Sequence, residues 1–487
     1  MPTQTQSPLK TYLDHLERGE LAYQFSPAAN RAVFYPRVLC PFTGSDRLEW
    51  RVSAGAGTVH ATTVVHPPEG GPFNVALIDC DEGFRLMSRV EDIPPTMAAP
   101  PRLSPLIACP PARTPDTAES DLGKVADEMS PLDLMAQGTQ RALADCGASL
   151  KDVDGLFCAT AQARLSVLAL AEYLGLQPAY IGSTIVGGSS FEYHVAHAAA
   201  AIALGLCNVA VVAYGSTQRS IGRRQASMRE INPYETPFRP FMPSSAYALA
   251  ASRHMHQYGT TREQLAAVAV AAREWALLNP VAWEKKPLTI QEVLNARMVS
   301  YPFTVRDICL VTDGGGAIVL ASAERARSFK KPPVYVLGCG QSITHNAISS
   351  MPDLTVTGAV ASGKEAYAMA KLGPADVDAV ELYDAFTLNT MLFLEDLGFC
   401  KKGEGGAFVS DGRIGPKGSL PVNTNGGGLS YCHPGMYGLF VLIEAVRQLR
   451  GECGARQAAK HDVAMVHGNG GVLSAQASVI LGSAATA

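Results

Sequence analysis

Two stretches of this chain echo two others, and that repetition restricts the fold more than any single motif. KDVDGLFCAT (151–160) and ADVDAVELYDAF (375–386) share an Asp-Val-Asp turn before an apolar run, and each follows a helix pattern. LCNVAVVAYG (206–215) and KHDVAMVHGNG (460–470) form a second pair, each following a helix pattern that ends in glycine, AAAAIALG and VLIEAVRQLRG. Asp154 aligns with Asp378 and Asn208 with Asp462, the second pair spaced more widely, as an insertion in the second copy produces. A chain built this way has two related β/α halves, which a single-copy doubly wound fold lacks.

The halves are not the whole chain. Residues 91–116, EDIPPTMAAPPRLSPLIACPPARTPD, are dense in proline and lack apolar periodicity, which marks a linker. Ahead of it, LEWRVSAG, GTVHATTVVH and FNVALIDCDEGFRLMSRV read as short strands separated by turn residues. Strands that short, in fewer than a hundred residues, are expected to close into a small barrel. Between the halves, 216–302 carries helix patterns and the loop TQRSIGRRQASMRE, an insertion expected to lie over the sheet ends. A net charge of −4 gives no electrostatic case for a nucleic-acid partner. The polar N-terminus predicts no signal peptide, and the most apolar run, HVAHAAAAIALGLCNVAVVAYG, is interrupted by Gly205 and Asn208, so no membrane span is expected. Eleven cysteines without a CxxC pair suit reduced thiols in a cytoplasmic protein.

The segment richest in chemistry is NTNGGGLSYCHPGMYG (423–438), where glycines precede Tyr431, Cys432 and His433 and a long apolar helix pattern follows. Together with the duplicated core and VTDGGGAIVLAS (311–322), this loop resembles the thiolase superfamily. YGTTREQLAAVAVAAREWALLNP and YDAFT narrow the resemblance to the sterol-carrier-thiolase and lipid-transfer-protein branch. The resemblance covers about 104–487 and implies an α/β fold, a thiolase-like duplicated βαβαβ five-layered core. The N-terminal unit resembles the OB-fold partner domain of such proteins, often preceded by a four-cysteine zinc ribbon. Here Ser26, Ala29 and Thr43 stand at three of the four ligand positions and only Cys40 is left, so no metal is expected. The expected division is an OB-fold domain over 1–90, a linker over 91–103 and a thiolase-like domain over 104–487. Within the last, the first half takes about 104–215 with 311–322, the cap insertion about 216–302, and the second half about 332–487.

The departures from the family pattern bear directly on chemistry. The resemblance places the thiolase nucleophile, a cysteine at a helix N-terminus, at or next to Ser189, and no cysteine lies between 159 and 206. Tyr383 in YDAF replaces a motif histidine, His467 in HGNGG replaces the second cysteine, and His433 is retained in CHPG. A serine alcohol is a poor nucleophile without an adjacent base. Aldol cleavage needs no nucleophile, only a base for a β-hydroxyl, donors for an enolate oxygen and an acid for the enolate carbon. The resemblance therefore implies retro-aldol cleavage of a β-hydroxyacyl-CoA, with a steroid side chain among the acyl groups that fit. Tyr383 and Tyr431 are the expected acid/base pair, with His433 and His467 polarising the thioester or shuttling protons. Coenzyme A enters as part of the substrate, with Arg219, Arg223 and Arg224 as candidates for its phosphates and Gly426, Gly427 and Gly470 as pocket walls. A homodimer is implied. Two alternatives stay open: a thiolase-type acyltransferase using Ser189 or Cys432, and a non-catalytic acyl-CoA or lipid-binding protein.

Overall fold

A computed structural model describes residues 8–37, 40–43, 45, 47–67, 71–90, 115–125, 129–222 and 232–486. Residues 91–114 of the proline-rich stretch, Arg223 and Arg224 lie outside the described residues, and Pro115 and Asp116 at its end begin a strand. The chain divides into two compact units.

The smaller unit takes 1–101 together with 231–257 and 299–302. Its strands are β1 (Ala22–Ser26), β2 (Arg31–Val33), β3 (Glu49–Val52), β4 (Gly57–Val65), β5 (Phe73–Cys80) and β6 (Arg85–Ser88). β2, β1 and β3 form one antiparallel sheet, and β4, β5 and β6 belong to another. The expected cap insertion is therefore not one body: part of it packs with the N-terminal strands. The cause is aromatic burial. Tyr234 stacks on Tyr35 at 4.4 Å between ring centroids and meets Tyr12 edge-on at 5.1 Å, and the Tyr35 hydroxyl donates to Glu235 at 3.0 Å. The hydroxyl of Thr63 donates to the Tyr301 carbonyl at 2.7 Å, extending the β4 edge. Burial alone would raise the Cys40 thiol, but hydrogen bonds from Ser26, Thr43 and the backbone of Phe42 bring it down to about 7. Among the described residues no cluster of His, Cys, Asp and Glu has metal-ligand geometry.

The larger unit takes 102–230, 258–298 and 303–487. Apart from β11 (Met298–Ser300) and β12 (Phe303–Thr304), which continue the sheet of β4, β5 and β6 with Ser300 opposite Val65, the remaining strands fall into two sheets. The first contains β7 (Pro115–Glu119), β13 (Gly314–Ala321), β10 (Val209–Ser216), β8 (Gly155–Cys158) and β9 (Tyr180–Gly182), in that order. The second contains β14 (Tyr335–Ile343), β17 (Ala475–Gly482), β16 (Val463–Gly470) and β15 (Ala379–Leu382). The repetition in sequence is a repetition in structure. β8 runs parallel to β10 with Gly155 opposite Ala210, and β15 runs parallel to β16 with Ala379 opposite Ala464. Asp154 accepts from the N–H groups of Asn208 and Val209 at 2.8 and 2.7 Å, and Asp378 accepts from Asp462 and Val463 at 2.9 and 3.1 Å. The echoed aspartates thus do one job twice, closing the start of the neighbouring parallel strand.

Two helices, Ser190–Ala203 and Gly438–Leu449, pack against each other and against strands of both sheets. Pro131–Cys146 covers the outer face of the first sheet and Ala359–Ala370 that of the second, which completes five layers. Strands with every residue buried, such as β10, β13, β16 and β17, are what a sheet covered on both faces requires. No described helix is long and apolar enough to cross a membrane.

Candidate active site

The site is built where β15 ends and the glycine-rich loop turns toward the helix Gly438–Leu449. Tyr383 is held at the strand end by its N–H, which donates to the His467 carbonyl at 2.9 Å. Beside it the buried Asp384 accepts from the Gly428 N–H at 2.6 Å and from Leu429 at 3.4 Å, which locks the π-turn Gly427–Tyr431. Burial pushes the Asp384 carboxyl up to about 7 against these hydrogen bonds. The next turn is fixed from several sides. His433 donates its N–H to the Thr312 hydroxyl at 3.0 Å and accepts at its carbonyl from the Thr312 N–H at 3.2 Å. Tyr437 stacks on the His433 ring at 6.0 Å, and the Tyr214 hydroxyl bonds the Pro434 carbonyl.

This scaffold brings two of the expected residues together. The Tyr383 hydroxyl lies 3.0 Å from His433 Nε2, and the rings meet edge-on at 5.6 Å. Tyr383 is 4% and His433 6% exposed, so both are buried. Burial lowers His433 to about 4, so its imidazole is neutral near pH 7 and its Nε2 can accept a hydrogen bond from the Tyr383 hydroxyl. The pair sits beside the N-terminal ends of both central helices: Tyr437 precedes the first residue of one, and Gly188 precedes the other and touches the Tyr383 ring. Helix N-termini favour negative charge, the charge an enolate develops.

The other expected residues are engaged elsewhere in the structure. Tyr431 is 1% exposed, and its hydroxyl donates 2.8 Å to Glu119, itself 2.6 Å from Arg447. Burial first, then the Glu119 charge, hold this phenol well above the ordinary range, and its hydroxyl is engaged by Glu119. His467 is 0% exposed; its Nδ1 lies 2.9 Å from Ser478 Oγ, its Nε2 lies 2.8 Å from Gln476, and its ring packs on Phe393. Strand alternation explains this: Gly468 faces the central helix, so its neighbour His467 faces the outer one. Ser189 stands at the N-cap position but donates to the Ala475 carbonyl at 3.1 Å, without an activating base. Cys432 is a buried thiol raised well above its usual value by burial and by Glu119. Gly426 packs on Ala276, Gly427 on the Asp384 carboxylate and Gly470 on the Val186 carbonyl; protein, not open space, explains these glycines. Arg219 donates to the Val311 carbonyl at 2.9 Å and lies over the exposed Trp283 ring at 4.6 Å, so it remains near the surface.

Gly188 was not anticipated as a site residue. A methyl group there would lie 2.0 Å from Cε2 and 2.5 Å from Cζ of Tyr383. A side chain at the start of this helix and the Tyr383 ring therefore exclude each other. Gly188→Ala is expected to displace Tyr383 and lower turnover by about 10²-fold, in line with a misplacement of about 1 Å at a reacting group. Steady-state kinetics on the substrate class proposed below measure this, and wild-type turnover would show that the two groups do not compete.

Two β/α halves around paired central helices, with a tyrosine–histidine pair where those helices begin, define a thiolase-fold site without a thiolate. Residues 340–483 match the thiolase C-terminal domain-like family, and residues 50–99 match the ChsH2 C-terminal OB-fold domain. The chain is 37% identical to a 17-hydroxy-3-oxo-4-pregnene-20-carboxyl-CoA lyase of Mycobacterium tuberculosis, over 66% of its own length and 87% of that protein. It is 42% identical to an acetyl-CoA acetyltransferase of Methanothermobacter thermautotrophicus, over 47% of its own length and 60% of that protein. Among solved structures it resembles an Ltp2-ChsH2 aldolase at 31% identity and a TM-score of 0.70, covering 77% of this chain and 98% of that one. The chain belongs to the sterol-carrier-thiolase and lipid-transfer-protein branch of the thiolase superfamily, with an OB-fold domain in the same chain.

Proposed function

We propose that this protein cleaves a β-hydroxyacyl-CoA by a retro-aldol reaction, with a steroid side chain as the acyl group. The observation that carries the reading is the 3.0 Å contact between Tyr383 and a neutral His433 at the start of two helices. Tyr383 takes the proton of the β-hydroxyl while passing its own to His433 Nε2. The Cα–Cβ bond then breaks, the β-carbon becomes a ketone, and the electron pair moves onto the thioester as an enolate. A proton returned to the α-carbon completes the shorter acyl-CoA, so no water or oxidant is consumed. Similarity to proteins named as a steroid-type acyl-CoA lyase and an aldolase supports the same reaction.

The decisive experiment offers the protein β-hydroxyacyl-CoAs and β-ketoacyl-CoAs and separates the products. Ketone plus shorter acyl-CoA from a steroid β-hydroxyacyl-CoA is expected, with no mass increase on the protein. A stable acyl adduct on Ser189 or Cys432 would replace this reading with acyl transfer.

A homodimer fits the first sheet. Among the described residues β9 is an edge strand paired with β8, and Ile181 within it and Ile185 just after it are exposed. An unpaired edge flanked by apolar side chains is a template for a second copy. Light scattering is expected to give twice the 51.5 kDa chain mass, and Ile181→Pro to give the monomer; a monomeric parent chain would remove the dimer. The cysteines described are all free, which suits a cytoplasmic enzyme.

A further inference from the structure

One carboxyl group in the core has no use in the mechanism above. Glu192 lies in the first turn of the helix Ser190–Ala203, one turn beyond Gly188, and is 0% exposed. Neither carboxyl oxygen has a hydrogen-bond partner on another described residue. Its chamber is walled by two glycines from other elements. A methyl group at Gly438, the first residue of the second central helix, would lie 2.5 and 2.7 Å from its oxygens, and one at Gly468 would lie 2.2 Å away. The carboxyl thus stands in the first turn of both helices whose ends flank Tyr383 and His433.

Charges that could pair with it are engaged elsewhere. On the second helix Glu444 binds Arg456 and Arg447 binds Glu119; on β16, His467 binds Gln476 and Ser478. On its own helix the Tyr193 hydroxyl donates to Ser342, His194 bonds the Thr184 carbonyl, and burial keeps His197 below its usual value. On the neighbouring strands the Tyr214 hydroxyl bonds Pro434, and the Cys158 and Cys339 thiols are raised to about 12 by burial. An ionised carboxylate without a partner is costly in such a place, whereas a neutral acid is tolerated.

We infer that Glu192 is a positioning residue of the proposed lyase: kept as a neutral acid, it leaves the positive ends of both helices free to stabilise the enolate, and its ionisation cancels them. The inference rests on the lyase reading. Burial, opposed by its own backbone, raises the carboxyl to about 8, so the change falls in an accessible pH range.

The test compares the full chain with Glu192→Gln, in which the side chain cannot ionise. For the parent enzyme kcat is expected to fall about tenfold between pH 7 and pH 9, with KM little changed. For Glu192→Gln the fall is expected to be less than twofold. Superimposable profiles would overturn the inference, and so would a tenfold loss at pH 7, which would mean the acid's proton itself is consumed. A thermal readout separates this from failure of the lyase reading. A pKa raised on folding gives stability that is complete below the unfolded value and is lost as pH rises through the folded one. The Tm advantage of Glu192→Gln should therefore grow from pH 5 to pH 9, whatever the substrate. An equal Tm difference at both pH values overturns the neutral-acid assignment even if no substrate is cleaved.

Discussion

Tyr383→Phe is expected to lower kcat/KM for β-hydroxyacyl-CoA cleavage by about 10³-fold while the fold and substrate affinity persist, the range general acid–base groups contribute. The substitution keeps the ring that packs against Gly188 and Tyr437 and removes only the hydroxyl that meets His433 Nε2 at 3.0 Å. A β-hydroxyl proton then has no phenol to pass through to the neutral imidazole. The loss should appear in kcat more than in KM, because the bond to the β-hydroxyl strengthens as its proton leaves. Tyr431→Phe provides the contrast. Its hydroxyl serves Glu119, so stability should fall while kcat stays within a few-fold. Steady-state kinetics on both variants decide the matter; a large kcat loss confined to Tyr431→Phe would transfer the acid/base role to that residue.

The largest loss of stability is expected from Arg447→Met. Arg447 and Glu119 join the helix Gly438–Leu449 to β7 through a 2.6 Å contact, with the Tyr431 hydroxyl as a second donor. The guanidinium holds the Glu119 carboxyl below the ordinary range against burial, which alone would raise it. Removing one partner of a buried pair leaves an uncompensated charge and costs about 3–5 kcal/mol. A carboxyl held low contributes stability above its unfolded value and loses it as pH falls through the folded one. In Arg447→Met that low value is gone, so Glu119 protonates more easily and the deficit should shrink as pH is lowered toward 4. Urea midpoints at pH 7 and pH 4 measure this, and an equal midpoint for variant and parent chain would show that the pair is not a structural tie.

Much of the architecture could be read from the chain. The Asp154 and Asp378 echoes announced paired parallel strands because an Asp before a buried strand has a local task, closing backbone N–H groups a fixed distance away in the fold. His433 and Tyr383 could be singled out from motifs because each lies at the end of a strand or the start of a helix. Tyr431 and His467 carried equally good motif credentials, and their side chains nevertheless turn to Glu119 and to Gln476. Glu119 lies 312 residues from Tyr431, and nothing in its surrounding sequence announces the contact. The split of the cap insertion was hidden for a related reason: Tyr234 joins Tyr35 through ring stacking, which has no periodic signature.

Local order of residues was enough for the class of fold, the doubled core and the loss of the attacking sulfur, since periodicity, turn chemistry and residue type act over a few positions. Which polar groups meet was set by packing. Whether Gly188 leaves room for a phenol, whether Tyr431 finds an acid and whether Glu192 stays uncharged depend on distances between segments far apart in the chain. Burial and contact alter hydrogen bonding and proton affinity only after those segments have come together.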